Sequence, residues 1–281
     1  MTAAFTPKTF LITGVSSGFG RAFSSAALNA GHTVAGTLRD EAACAAFEAL
    51  APGRAHAFVL DVTNDDAIGP AVARITGKVG PIDVLVNNAG YGHEGTLEES
   101  ELREMRRQFD VNVFGAVAMI KAVLPAMRER RSGHIVNITS MGGFITMPGI
   151  AYYCGSKFAL EGISEALAKE VAAFGIHVTA IAPGSFRTDW AGRSMVRSQR
   201  HIADYDAVFG PVREARQAKN GQQAGDPAKA AQALLRVVAH QSPPVHLLLG
   251  KDAVALVRAK LASLGDEITA WEAVSASTDM G

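Results

Sequence analysis

The start of this chain constrains its fold more than any other part. Residues 9–13, Thr-Phe-Leu-Ile-Thr, are β-branched and apolar, the mark of a strand buried on both faces. They run into Gly14-Val15-Ser16-Ser17-Gly18-Phe19-Gly20. A helical stretch follows over residues 21–30 and stops at Gly31. In the order strand, glycine turn, helix, each glycine serves a purpose. Gly14 allows the tight turn, Gly18 lets the backbone approach a pyrophosphate, and Gly20 lets the helix pack on the strand. The amides at the helix start then hold phosphate oxygens. The competing reading, an ordinary Gly/Ser loop, does not account for these flanks.

The same unit recurs. A second strand over residues 33–37 leads into Leu38-Arg39-Asp40. An acid at this strand end would bind ribose hydroxyls, whereas Arg39 can pair a 2′-phosphate in a forked geometry. The sequence therefore favours NADP(H) over NAD(H), with Ser16 and Ser17 adding hydroxyls near that phosphate. Asp40 is open to two readings, the ribose or the cap of a helix beginning at Glu41. A third strand over 55–60 ends at Asp61 and Val62, where Asp61 either meets an adenine amino group or caps the next helix. A fourth, over 82–87, ends in Asn87-Asn88-Ala89-Gly90. A helix is expected over 97–109 and another over 112–131, with Asn112 in an apolar setting at its start.

Residues 134–139 form a fifth apolar strand, and Ser140 follows it. Tyr153 and Lys157 are one helical turn apart and share a face if a helix begins near Tyr153. A cation at ~4 Å in an effective dielectric of ~20 is worth up to ~4 kcal/mol, enough to bring a phenol into the range of a usable acid or base. Repeated βα units imply an α/β fold: a single-domain, Rossmann-type, doubly wound parallel sheet of about seven strands with helices on both faces. Right-handed crossovers then bring Gly14, Arg39, Asp61, Asn88 and Ser140 to one edge.

Composition narrows the partners. Basic and acidic residues balance at 27 each, which argues against a nucleic-acid or acidic-lipid surface. Two cysteines, Cys44 and Cys154, without metal-ligand spacing point to a reducing, cytoplasmic setting and no metal site. No signal peptide is evident, and no uninterrupted apolar run suggests a membrane span.

Residues 9–188 closely resemble the short-chain dehydrogenases/reductases in their short, single-domain form. The matching segments are Thr13 to Gly20, Asn87-Asn88-Ala89-Gly90, the set Asn112, Ser140, Tyr153 and Lys157, and Pro183-Gly184 with Thr188. The resemblance implies a catalytic tetrad. Tyr153 would be the acid or base, and Lys157 would lower its pKa and bind the nicotinamide ribose. Ser140 would hold the substrate oxygen, and Asn112 a water linked to Lys157. It also implies cofactor contacts at Gly14, Ser16, Ser17, Gly18, Phe19, Gly20, Arg39, Asp61, Val62, Asn88, Ala89, Gly90, Tyr153, Lys157, Pro183, Gly184, Phe186 and Thr188. Phe19 stands where the family often has an aliphatic residue and would contact the cofactor through its backbone. A homodimer or homotetramer is expected through the helices at 112–131 and 158–174.

The whole of 1–281 reads as one oxidoreductase domain. Residues 185–225 form an irregular, loop-like insert, read as a lid over a small-molecule substrate, with Trp190, Met195, Tyr205 and Phe209 supplying apolar surface. His93 and Glu94 face the pocket or solvent. Residues 251–264 look helical, with a tail beyond them inside the 251–281 segment. The substrate implied is a hydrophobic ketone or secondary alcohol, and the strand-end Thr-Leu-Arg is similar to that of steroid- and retinol-type members. The alternatives are an NAD-dependent alcohol dehydrogenase of the same family and a non-catalytic, dinucleotide-sensing protein.

Overall fold

A computed structural model describes residues 6–280. Seven strands make one parallel sheet: β1 (Thr9–Thr13), β2 (Thr33–Leu38), β3 (Ala55–Val59), β4 (Val84–Asn87), β6 (Gly133–Ile138), β7 (Ile176–Pro183) and β9 (His246–Leu249). Their order across the sheet is β3-β2-β1-β4-β6-β7-β9, and every pairing is parallel. Two short strands, β5 (Gly92–Glu94) and β8 (Met195–Arg197), pair with each other beside it.

The helices are α1 (Gly18–Asn29), α2 (Cys44–Glu48), α3 (Asp65–Val79), α4 (Leu102–Phe109), α5 (Gly115–Arg130), α6 (Ala151–Val171), α7 (Asp206–Ala218), α8 (Pro227–Ala239) and α9 (Lys251–Ala276). One face of the sheet packs on α1, α2 and α8 through Phe23, Phe47 and Leu234. The other packs on α3, α5 and α6 through Ile75, Met119 and Leu167. Strands covered on both faces need no polar alternation, which is why they read as continuous apolar runs. The stretch Leu102–Arg130 is long and apolar enough to cross a membrane by length and composition alone; here its Met119, Ile120, Val123 and Met127 lie in the core against the sheet.

The structure departs from the periodicity reading in four places. The helix expected over 97–109 begins only at Leu102, because Glu99 turns back to accept from the Thr96 amide and hydroxyl, both at 3.0 Å. A capping box between Glu101 and Glu104 then starts α4. The helix expected to begin at Asn112 is preceded by a π turn, Asp110–Phe114, that joins α4 to α5. The insert carries β8 and the thirteen-residue α7 in place of an irregular loop. Finally, α9 runs on to Ala276.

The insert is docked by buried charge. Glu94 is 2 % exposed; its carboxylate accepts from Arg197 Nε at 3.1 Å and Arg216 Nη1 at 2.6 Å. Glu99 accepts from the Ile202 amide at 3.0 Å, with Arg213 Nη2 at 3.7 Å. Phe209, 3 % exposed, seats its ring over Gly149. Removing one partner of a buried pair leaves the other charge uncompensated, a cost of roughly 3–5 kcal/mol in full burial. Arg197 and Arg216 retain some solvent, so Glu94→Gln is expected to cost about 2–3 kcal/mol by urea denaturation. Amide exchange in the variant should accelerate in β8 and α7 and stay unchanged in β1 and β4.

Candidate active site

In a sheet of this order the chain diverges between β1 and β4, and ligands bind beyond the strand ends at such a point. The glycine turn lies there. Gly14 has φ +72°, a left-handed conformation that suits glycine. At Gly20 a Cβ would meet the Gly14 carbonyl oxygen at 2.1 Å, so only glycine lets α1 start this close to β1. Asn88 secures the turn, its Nδ2 donating to the Thr13 and Gly14 carbonyls at 2.9 and 3.0 Å. The Thr13 hydroxyl accepts from the amides of Asn88 and Ala89, each at 3.0 Å. Ser17, the N-cap of α1, makes no side-chain cap bond, so the first-turn amides present their donors outward.

The other expected cofactor residues gather around this turn. The segment after β7 crosses it: a Cβ at Gly18 would lie 3.6 Å from Thr188, and the Phe19 ring lies 5.2 Å from that of Phe186. Phe19 thus engages the site by its side chain as well as its place in the turn. Pro183 ends β7, and the Gly184 amide donates to the Leu249 carbonyl at 2.8 Å. Arg39 is exposed at the end of β2. Asp61 is held by the Thr63 amide and hydroxyl at 3.0 and 2.8 Å. Burial raises the Asp61 pKa, but those bonds with Arg39 and Arg107 outweigh it and leave the carboxylate below its ordinary value. Asn64, not Asp61, caps α3. Asp40 accepts from the Ala42 amide at 3.0 Å and so caps the helical turn at Glu41. Val62 is buried against Gly115 at the start of α5.

Further along the same edge, Ser140 follows β6 and Tyr153 lies in the first turn of α6. Ser140 Oγ accepts from the Gly142 amide at 3.0 Å and also interacts with the Tyr153 phenol. Lys157 is 6 % exposed, its Nζ donating to the Ile138 carbonyl at 2.8 Å and lying 5.8 Å from the Tyr153 ring centre. Burial pushes the Tyr153 phenol above its ordinary value, against the pull of Ser140. The Lys157 ammonium donates to the β6 carbonyl, and burial is the largest influence on the phenol. Burial also lowers the Lys157 pKa to about 8, partly offset by the Glu161 carboxylate.

Asn112 is buried between the Tyr91 turn and α6. Its Nδ2 donates to the Tyr91 carbonyl and Ser156 Oγ, and its Oδ1 accepts from the Tyr91 amide, all at 3.1 Å. Ser156 in turn donates to the Tyr153 carbonyl at 2.7 Å. The Asn112 carboxamide therefore ties α6 to the Gly90–Tyr91 turn. Tyr152 points away, its hydroxyl donating to the Ser100 carbonyl at 2.9 Å. His93 and Glu94 are both buried, His93 against Ser100 at 2.9 Å.

One expected residue takes a specific place, and one escaped the motif reading. Trp190 packs its ring 5.0 Å from Tyr153 and walls the site, its Nε1 buried without a partner. Glu161 lies one turn beyond Lys157 and accepts from Thr139 Oγ1 and from His246 Nδ1, the latter at 2.7 Å. The Tyr153, Lys157, Glu161 spacing could have revealed Glu161; the insert's apolar residues point to Trp190, but nothing local sets it beside Tyr153.

A two-faced parallel sheet with a glycine turn at its switch point, and a Ser, Tyr and Lys beside it, defines a dinucleotide-dependent oxidoreductase scaffold. The short chain dehydrogenase family model matches residues 8–198, and the chain belongs to that family. It is 38 % identical to Oxidoreductase BOA17 of Botryotinia fuckeliana, covering 92 % of this chain and 96 % of that one. It is 39 % identical to the 3-ketodihydrosphingosine reductase of Bacteroides thetaiotaomicron, covering 87 % and 88 %. The crystal structure of a short-chain dehydrogenase from Streptomyces avermitilis superposes with a TM-score of 0.91 at 44 % identity, covering 98 % and 100 %.

Lys157 yields a pH prediction. Titrating near 8 in the fold and at 10.5 when free, it burdens folding with a buried charge below pH 8. Between pH 8 and 10.5 the unfolded chain binds the extra proton, so stability rises with pH. Relative to Lys157→Met, the wild type should gain up to roughly 3 kcal/mol across that window in urea titrations.

Proposed function

We propose that this protein moves a hydride between NADP(H) and a hydrophobic ketone or secondary alcohol. The observation that carries this reading is the grouping of Ser140, Tyr153 and Lys157 at the sheet edge that also holds the glycine turn. The turn suits a pyrophosphate: the close approach at Gly20 and the uncapped amides of α1 leave room and donors for one. Gly14 to Gly20, Arg39, Asp61, Ala89, Gly90, Lys157 and the 183–188 segment would hold the dinucleotide. When bound, it supplies the hydride.

The rest falls to the chain. Tyr153 gives its phenolic proton to the oxygen of a carbonyl undergoing reduction, and burial keeps that proton in place beforehand. Ser140 orients the same oxygen. Lys157, charged at neutral pH, holds positive potential beneath the site. Asn112 positions α6 and the Tyr91 turn. Met147 and Trp190 offer an apolar wall beside Tyr153, and the insert that carries Trp190 serves as the lid. The relative named 3-ketodihydrosphingosine reductase points to a ketone of that character. NADP(H) is favoured because Arg39 stands exposed at the end of β2 while Asp40 is taken up as a cap. We place the assembly as a homodimer or homotetramer in a reducing, cytoplasmic setting, on the exposed Phe114 just before α5, the exposed Phe158 of α6 and two free cysteines.

Tyr153→Phe should lower kcat on an accepted ketone by at least ~100-fold while leaving cofactor binding intact. Wild-type turnover in that variant would refute the assigned proton donor, and a wild type without turnover on any ketone or alcohol would favour a sensing protein. In low salt, NADPH should quench protein fluorescence with a Kd about tenfold below that of NADH, or ~1.4 kcal/mol. Arg39→Ala should abolish the difference. Tighter NADH binding would make the NAD-dependent alternative the better reading, and binding of neither would remove the enzyme reading.

A further inference from the structure

The helix α9 is 26 residues long, about 39 Å, and only its start is packed. Ala253 and Val257 are buried; from Arg258 onward every described residue of the chain is exposed. Most helical stability in proteins comes from packing one apolar face, and no described residue beyond Val257 is buried. Such a face exists. Val254, Val257, Leu261, Leu264, Ile268 and Trp271 alternate at spacings of three and four, a heptad stripe. Leu261, Ile268 and Trp271 are 58 %, 62 % and 65 % exposed, well beyond the scattered apolar residues usual on a surface.

Charge selects the occupant. Lys260 and Glu267 flank one side of the stripe, and Arg258 and Glu272 flank the other. The basic pair lies in the N-terminal half and the acidic pair in the C-terminal half. We propose that α9 pairs with α9 of a second copy of this chain, antiparallel, about a two-fold axis passing near Gly265. That arrangement sets Lys260 against the partner's Glu267 and Arg258 against the partner's Glu272, each twice by symmetry. A parallel pair would set Glu267 against the partner's Glu272, like against like. A membrane surface fits less well, since helices that lie in lipid headgroups carry Lys and Arg on the polar face. Here the distal half carries Asp266, Glu267 and Glu272. The strict seven-residue repeat drifts on a straight helix, so the pair winds into a left-handed supercoil. Gly265, where a Cβ would meet nothing within 4 Å, lets the helices approach at the axis. This surface is separate from that of α5 and α6.

The test uses the full chain in a Cys44→Ala background, Cys154 being buried. Gly265→Cys places a thiol beside its own symmetry mate, and Asp266→Cys places one on the far side of the helix. Under mild oxidation the first should give a covalent homodimer on non-reducing gels, at least tenfold faster than the second. Adding Lys260→Glu or Glu267→Lys alone should slow the cross-link about tenfold, and the two together should restore it. Equal rates at both positions, no cross-link at Gly265→Cys, or failure of the double swap to restore it would overturn the proposal. So would flotation of the wild type with phosphatidylcholine vesicles that is lost on Leu261→Glu while no cross-link forms.

Discussion

The site depends on a hydrogen-bonded knot between the first and fourth strands. Where β1 and β4 end, their chains leave for opposite faces of the sheet, and the last peptide groups lose the ladder that satisfied them. An unpaired buried peptide group costs about as much as a lost hydrogen bond. Asn88 and Thr13 settle this reciprocally: a side-chain amide takes two carbonyls of the turn, and a side-chain hydroxyl takes two amides. The glycine turn is thereby fixed to the neighbouring strand instead of hinging on β1 alone. The absent Cβ at Gly20 then brings the start of α1 against the same carbonyls. One knot sets the distance between the phosphate-facing turn and the strand beside the reactive side chains.

Burial governs the charges beyond that knot. Tyr153 and Lys157 are both almost wholly enclosed, and in each burial acts against the ionised form. The phenol is held protonated, and the lysine is brought to where its charge responds to surroundings near neutrality. Glu161 sits below, its own pKa raised by burial and restrained by Thr139, His246 and Lys157. Lys157 and Glu161, one turn apart on α6, therefore hold interdependent protonation states, and replacing either changes the other.

Much of this arrangement is written locally. The strand, turn and helix at residues 9–30, the apolar run before Ser140 and the Tyr153–Lys157 spacing are short-range patterns, and the structure realises each. What periodicity misses is set by distant partners or by a single backbone irregularity. The helix α7 contains Gly210 and Pro211, which argue against a helix on propensity alone, and it forms because Phe209, Arg213 and Arg216 find partners on the 94–99 and 148–149 segments. The three-residue β5 and β8 have no signature apart from each other. The π turn at Asp110 adds one residue to a helix and leaves no mark in composition, yet it turns Asn112 toward Tyr91 and Ser156. Gly265 reads as a helix stop, and α9 passes through it.

The same long-range contacts bear on how a substrate is chosen. The insert is tied on two sides. Glu94 and Glu99 hold β8 and α7 against the 94–99 segment, and Phe186 bridges to Gly225 while the Ser185 amide donates to Asp252 in α9. Swinging it away as a body would break the Glu94 and Glu99 ion pairs and lift Phe209 from Gly149 together. Adjustment is cheaper within the wall itself. Trp190 packs beside Tyr153 on no hydrogen bond of its own from Nε1, and Met147 is a flexible filler. The shape of the site beside Tyr153 is therefore set by Trp190 and Met147, the two side chains there that can adjust without breaking an ion pair.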